Sequence, residues 1–266
     1  MTTIKMLCTL ARITSMIGLA VVAVLSSGCG GSDAAAIEAL TALNDKLVAE
    51  GGEKAVRMQN NGDKVGTIYI MSHIDDVLPH VAKLHNVEEI YFHDGGFGDE
   101  HVKFVNRLGS LNSLVISGTQ ITDKGVEQLS SMKLQALFLD GTAITSAALK
   151  PISKMTTLTS LDLTGTKVYD DLQPLQKLSN LKWLLLRDMD LSQLSEESIE
   201  ALIAIPNLAR FTATNTNLSD DVIKRLKKAK PALDLETGAA TEQPQDLPIG
   251  GEAAAEESEE IDPGGS

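Results

Sequence analysis

Apolar residues in this chain recur as pairs separated by one position, and the pairs themselves recur at a nearly constant interval. Segments 111–119 (LNSLVISGT), 134–142 (LQALFLDGT) and 158–166 (LTSLDLTGT) share the frame LxxLxLxGT. Each continues with an apolar residue two positions on, namely Ile121, Ile144 and Val168. Weaker copies flank them. The paired anchors are Ile68/Ile70, Ile90/Phe92, Leu114/Ile116, Leu137/Leu139, Leu161/Leu163, Leu184/Leu186, Phe211/Ala213 and Leu233/Leu235. Their spacings are 22, 24, 23, 24, 23, 27 and 22 residues. Alternation puts both members of a pair on one face of a short strand. Strands one repeat apart then stack in parallel, about 4.8 Å apart, into a curved sheet. The hydroxyl of the Thr after each strand is expected to bond backbone in the turn, as a ladder of Thr119, Thr142, Thr166 and Thr216. Thr122-Asp123 and Ser219-Asp220 read as helix starts, each with a capping hydroxyl and an acid in the first turn. Val126 and Leu129, or Ile199 and Leu202, then face the same core. The 27-residue unit implies three extra residues around Ser192–Ser195.

These intervals fall in the 20–29-residue range of leucine-rich repeats. The wording GTQITDKG at 118–125 resembles the cysteine-containing class of such repeats, without its cysteines. The resemblance implies an α/β leucine-rich-repeat solenoid with a parallel concave β-sheet and convex helices, over residues 65–236. No unit buries its apolar face alone, so stability comes from stacked neighbours. Caps are expected at the ends. Asp33 to Glu50 places Ile37, Leu40, Leu43 and Leu47 on one helical face, with Gly51-Gly52 as a stop. Residues 54–71 read as a hairpin around Asn61-Gly62. Lys224, Arg225, Lys227, Lys228 and Lys230 crowd the last helix, where cations favour its negative pole; a patch for lipid headgroups is the alternative.

Charge divides the rest. The chain has 266 residues and a net charge of −13, which argues against nucleic acid as a partner. Residues 1–28 carry only Lys5 and Arg12, ahead of an apolar run from Ile13 to Leu25. That run suits a signal peptide better than a membrane span. It ends in Leu25-Ser26-Ser27-Gly28-Cys29, which resembles the lipobox of bacterial lipoproteins. Ser26 stands where the lipobox usually has Leu, and an ordinary secretory signal is the alternative. The resemblance implies cleavage before Cys29, its acylation, and a membrane partner through that lipid. Of the two cysteines, Cys8 leaves with the leader, so Cys29 is the single thiol of the mature chain. Gly30, where an inner-membrane lipoprotein carries Asp, points to the outer membrane or cell surface. Residues 29–64 would then hold the anchor and the N-terminal cap. Residues 237–266 have eight acids and no base, and read as a disordered acidic tail.

In leucine-rich repeats the strand residues between anchors face outward on the concave side, where partners bind. Unit by unit, that central column is Tyr69, Tyr91, Val115, Phe138, Asp162, Leu185, Thr212 and Asp234. Trp183 lies in the column before it; Met71, His93, Asp140 and Arg187 lie in the column after it. Four of the nine aromatic residues fall on this face, and aromatics and Arg dominate binding hot spots. The candidate ligand-binding residues are therefore Tyr69, Tyr91, His93, Phe138, Asp140, Asp162, Trp183, Leu185 and Arg187. All five histidines fall between His73 and His101, near several acids, but no HExxH or regular ligand spacing accompanies them. No GxSxG, GxxxxGK[ST] or GxGxxG stands in the context that enzymes need. No catalytic residue, metal or cofactor is assigned. The sequence thus predicts an extracytoplasmic, lipid-anchored binding module of the cell envelope, with a protein or an envelope glycan as partner. A structural spacer, or a metal-dependent enzyme using the histidine-rich units, are the alternatives.

Overall fold

The computed structural model describes residues 33–61, 64–93, 95–169 and 171–238. The leader, Cys29 and nearly all of the acidic tail lie outside the described residues. Nine strands form one sheet in strict sequence order. β1 (Val56–Asn61) and β2 (Lys64–Ile70) pair antiparallel, as the hairpin reading expects. The remaining strands add in parallel: β3 (Glu89–Phe92), β4 (Ser113–Val115), β5 (Ala136–Phe138), β6 (Ser160–Asp162), β7 (Trp183–Leu185), β8 (Arg210–Thr214) and β9 (Asp234–Gly238). Anchor meets anchor throughout: Leu114 pairs with Leu137, Leu137 with Leu161, and Leu161 with Leu184. The anchors from Ile68 to Ala213 are buried in one continuous core that runs from the N-terminal helix to Leu233, with Leu235 partly buried against it. A fully buried Leu contributes about 1.5–3 kcal/mol through the area it removes from water.

The last unit departs from the sequence reading. Phe211 pairs with Leu235, not Leu233, so the final interval is 24 residues and Glu236, not Asp234, enters the central column. The sequence allowed both frames because Leu233 and Leu235 are separated by one position. Leu233 is also buried and closes the turn ahead of the strand.

The turn after each strand has a common geometry. Gly118, Gly141 and Gly165 take the left-handed conformation with φ of 64°, 66° and 63°. Asp188 and Asn215 take it in the next two units, where Gly is replaced; Asn and Asp tolerate this region best among other residues. The expected threonine ladder is present. Thr119, Thr142, Thr166 and Thr216 each donate to the carbonyl three residues back, at 2.6–2.7 Å.

The convex side is built from short segments. α1 (Asp33–Ala49) packs Ile37 and Leu40 into the core, with Leu43 and Leu47 partly buried. α2 is Ile74–Val81, α3 Val102–Val105, α4 Asp123–Leu129, α5 Leu149–Ile152, α6 Glu196–Ala204 and α7 Asp220–Ala229. Thr122 and Ser219 cap α4 and α7 as expected. In the sixth strand's unit the convex segment is a 3₁₀ helix alone, Gln173–Lys177, with Pro174 near its start. α6 starts twelve residues after Leu184, whereas α4 and α7 start nine after Leu114 and Phe211, which locates the three extra residues ahead of Ser195.

Two features tie units together beyond the sheet. Asp99 accepts from the Thr122 backbone N–H (2.9 Å) and hydroxyl (2.6 Å). Asp123 does the same for Thr145, at 2.8 and 2.7 Å. A Cβ on Gly125 would overlap the Asp99 carboxylate and the Ile121 side chain, so only Gly fits there. At the N-terminal edge, Asn44 on α1 caps β1: its amide donates to Val56 O (2.8 Å) and accepts from Val56 N (3.1 Å). Those groups of an edge strand would otherwise stand open to pairing with another chain.

Candidate functional site: the concave face

Parallel pairing sets the concave column residue by residue. Tyr69 lies beside Tyr91, then come Val115, Phe138, Asp162, Leu185, Thr212 and Glu236. All candidates taken from the sequence, apart from Cys29, fall on this face in register. They are not equally accessible.

At the N-terminal end an aromatic stack is half open. The Tyr69 and Tyr91 rings lie 4.8 Å apart and 16° from parallel, the spacing of adjacent strands. His93, exposed, stacks on Tyr69 at 6.1 Å. The Tyr91 hydroxyl donates to Glu89 (3.3 Å), which also accepts from Thr67 (3.4 Å). Burial, with the charge of Glu89, pushes the Tyr91 phenol well above its ordinary range. Burial likewise raises the Glu89 carboxyl, against the hydrogen bonds from Tyr91 and Thr67.

The middle of the face is closed. Phe138, Asp162 and Leu185 were expected to stand outward and open; they point outward but retain only 7%, 3% and 5% exposure. The inner curve of a bent sheet draws neighbouring side chains together, and large residues in adjacent strands cover one another. Asp162 sits between Phe138 and Leu185. It accepts from Thr164 N at 2.8 Å and lies 3.6 Å from the Arg187 guanidinium. Burial pushes its carboxyl above the usual range, and Asp140 adds to this, against the Thr164 hydrogen bonds and the Arg187 charge.

That shift carries a signed prediction. A carboxyl raised on folding opposes folding when ionised, so its contribution is most favourable below its unfolded pKa and is lost as pH rises through the folded one. Asp162→Asn should therefore gain melting temperature relative to wild type at pH 7 and not at pH 3. Melting curves at both values check it; a difference independent of pH would refute the assignment.

Two half-buried sites flank Leu185 on either side of the closed column: Trp183 in the column before it, and Asp140, Thr164 and Arg187 in the column after it. Ser117 donates to Asp140. Arg187 Nε donates to the Thr164 hydroxyl at 3.3 Å, and the Lys182 ammonium stands 6.0 Å from the Trp183 ring centre. Ser117, Thr164 and Lys182 were not singled out from sequence. The repeat register places Ser117 and Thr164 in the same column as Asp140 and Arg187, and that column would have shown them.

Among the described residues no three His, Cys, Asp or Glu side chains converge on one point. His101 is buried, accepts from Gly98 N at Nδ1 (2.8 Å) and therefore donates from Nε2 to Asp75 (3.1 Å). His85 pairs with Asp33 at 2.6 Å, and His73 with Ser72 at 2.9 Å. Their roles are local ties within and between units.

The fold is an α/β leucine-rich-repeat solenoid, and a repeat protein of this kind is suited to binding proteins. A family model described as Leucine Rich repeat matches residues 110–130. No curated protein sequence matches the chain. Among solved structures it is similar to a leucine-rich-repeat protein of Leptospira interrogans, at 18% identity and a TM-score of 0.43. That match covers 59% of this chain and 50% of the other, so it spans about half the length of the solved protein.

Proposed function

We propose that the chain is a lipid-anchored, extracytoplasmic repeat protein that holds a protein partner on its concave face. The observation that carries this reading is the pair of open patches on one rigid sheet. One is the Tyr69–Tyr91–His93 stack; the other is the half-buried set that flanks Leu185, Trp183 on one side and Asp140 with Arg187 on the other. Tyr91 on β3 and Trp183 on β7 are four strand spacings apart, about 19 Å. That span suits a protein surface or an extended segment rather than one small molecule. The anchor is supported by the leader and by Cys29 behind Ser-Ser-Gly.

The test is crosslinking and pull-down from intact cells with wild type and with Tyr91→Ala/Trp183→Ala. Each side chain is half open, and loss of two hot-spot rings should weaken capture by about tenfold or more. The fold should survive, as shown by a cooperative melt. An unchanged set of captured proteins would favour a spacer that uses no concave ligand; retention of an envelope glycan instead would change the partner class. Intact mass of the exported chain tests the anchor separately. Cleavage before Cys29 with added acyl mass is expected, and an unmodified Cys29 would overturn it.

A further inference from the structure

A groove of about 570 Å³ opens between the loops that follow α2 and α3, lined by Ala82, Lys83, Leu84, His85, Arg107 and Gly109. We infer that this groove binds the phosphate headgroup of an anionic phospholipid at the anchored end of the array. The inference rests on the acylation of Cys29 proposed above.

Position comes first. His85, on the groove wall, is tied to Asp33 through its ring (2.6 Å) and its backbone N–H (3.4 Å). Asp33 begins α1, and Cys29 precedes it by four residues. Four residues reach at most about 14 Å even when fully extended. The headgroup layer on each side of a bilayer is roughly 5–8 Å thick. An acylated Cys29 therefore keeps the groove within reach of the headgroups of the membrane that holds it.

Chemistry comes second. Lys83 and Arg107 are exposed and make no ion pair among the described residues. An Arg fork and a Lys ammonium are the donors that suit phosphate oxygens. Gly109 leaves space beside them, and Ala82 and Leu84 supply apolar wall for a glycerol backbone. Asp33 is the carboxylate bonded to His85 on the groove wall. Burial works against its ionisation, yet the His85 ring and backbone and the Asn86 amide outweigh that and hold its carboxyl below the ordinary range. Its charge is thus spent on His85 and Asn86. For a chain of net charge −13, a local pair of cations at the anchor offsets repulsion from an anionic surface.

The far end supplies an internal control. Lys227 and Lys228 on α7 lie ahead of β9, five to six strand spacings from β3 and β4, into which the groove loops lead, or about 24–29 Å. The mature chain from residue 29, carrying Cys29→Ser so that no acyl group contributes, is titrated with dihexanoyl-phosphatidylglycerol below its micelle threshold. Inorganic phosphate at equal concentration runs in parallel, and amide NMR signals are followed. The core is built from residues 36–233, so removal of the leader leaves it whole.

Signals of Leu84, His85 and Gly109 are expected to shift with the lipid and much less with phosphate. Lys83→Gln/Arg107→Gln should weaken this by at least about tenfold, and Lys227→Gln/Lys228→Gln by less than about twofold. Equal shifts with phosphate would make the groove a free-anion site and overturn the proposal. So would silent groove signals, or equal weakening by the far-end pair, which would mean diffuse charge. An unmodified Cys29 on the exported chain would overturn the anchor and with it the groove's place at a membrane; silence of the groove beside an acylated Cys29 would sink the groove alone.

Discussion

Leu137→Asp should break the array at its midpoint. Leu137 is completely buried on β5, the fifth of nine strands, with Leu114 on one side and Leu161 on the other. The substitution removes an anchor worth about 1.5–3 kcal/mol. It also places a carboxyl where no donor or cation faces it, and an unpaired buried charge costs more than the lost apolar contact. The combined effect belongs among the large destabilisations, above about 4 kcal/mol. The fold amplifies it. Each repeat contacts mainly its neighbours, so a defect in the middle uncovers the apolar faces of two half arrays, whereas a defect at an end uncovers one. Circular dichroism should show a melt that is much lower and less cooperative, or no folded baseline. A melt that matched wild type would mean that Leu137 does not carry the stack.

Phe138→Ala, one residue later and on the opposite face of the same strand, should be the second-largest effect, and it separates two meanings of the concave surface. A ring that only awaits a partner could be removed with little effect on stability. Phe138 instead keeps 7% exposure, in register between Val115 and Asp162. Truncating a ring so enclosed costs about 3 kcal/mol, or roughly 6–12 °C in melting temperature for a domain of this size. Tyr91→Ala, whose ring is half open, should cost clearly less. The pair of melts checks the distinction, and equal losses would refute it. Phe138, a ligand-binding candidate by its outward position, is therefore a structural ring. Ligand-directed substitutions belong at Tyr91, Trp183 and Arg187.

The two cases show where sequence reasoning stops. Leu137 could be read as an anchor because its periodicity states which face it occupies, and a period of two needs no coordinates. Phe138 could be read as outward for the same reason, but not as covered. Coverage depends on sheet curvature and on the bulk of residues 23 or 24 positions away. The Asp99–Thr122 and Asp123–Thr145 clamps were readable in principle, since each partner lies one repeat from the other. Local pattern alone marks Asp123 as no more than an acid in a first helical turn. The Asn44 cap on β1 and the Asp33–His85 tie carried no such signal, because they join a non-repeating helix to the array.

By itself, then, the sequence determined the repeat length, the buried anchors, the parallel order of strands and the turn chemistry of Gly and Thr. Each follows from local periodicity and from bonds closed within a few residues. The tertiary structure alone decided the final register at Leu235, the closed centre around Asp162, the two open patches beside it, and the groove at Lys83 and Arg107. These depend on how side chains distant in the chain share space once the sheet bends, and no local pattern encodes that sharing.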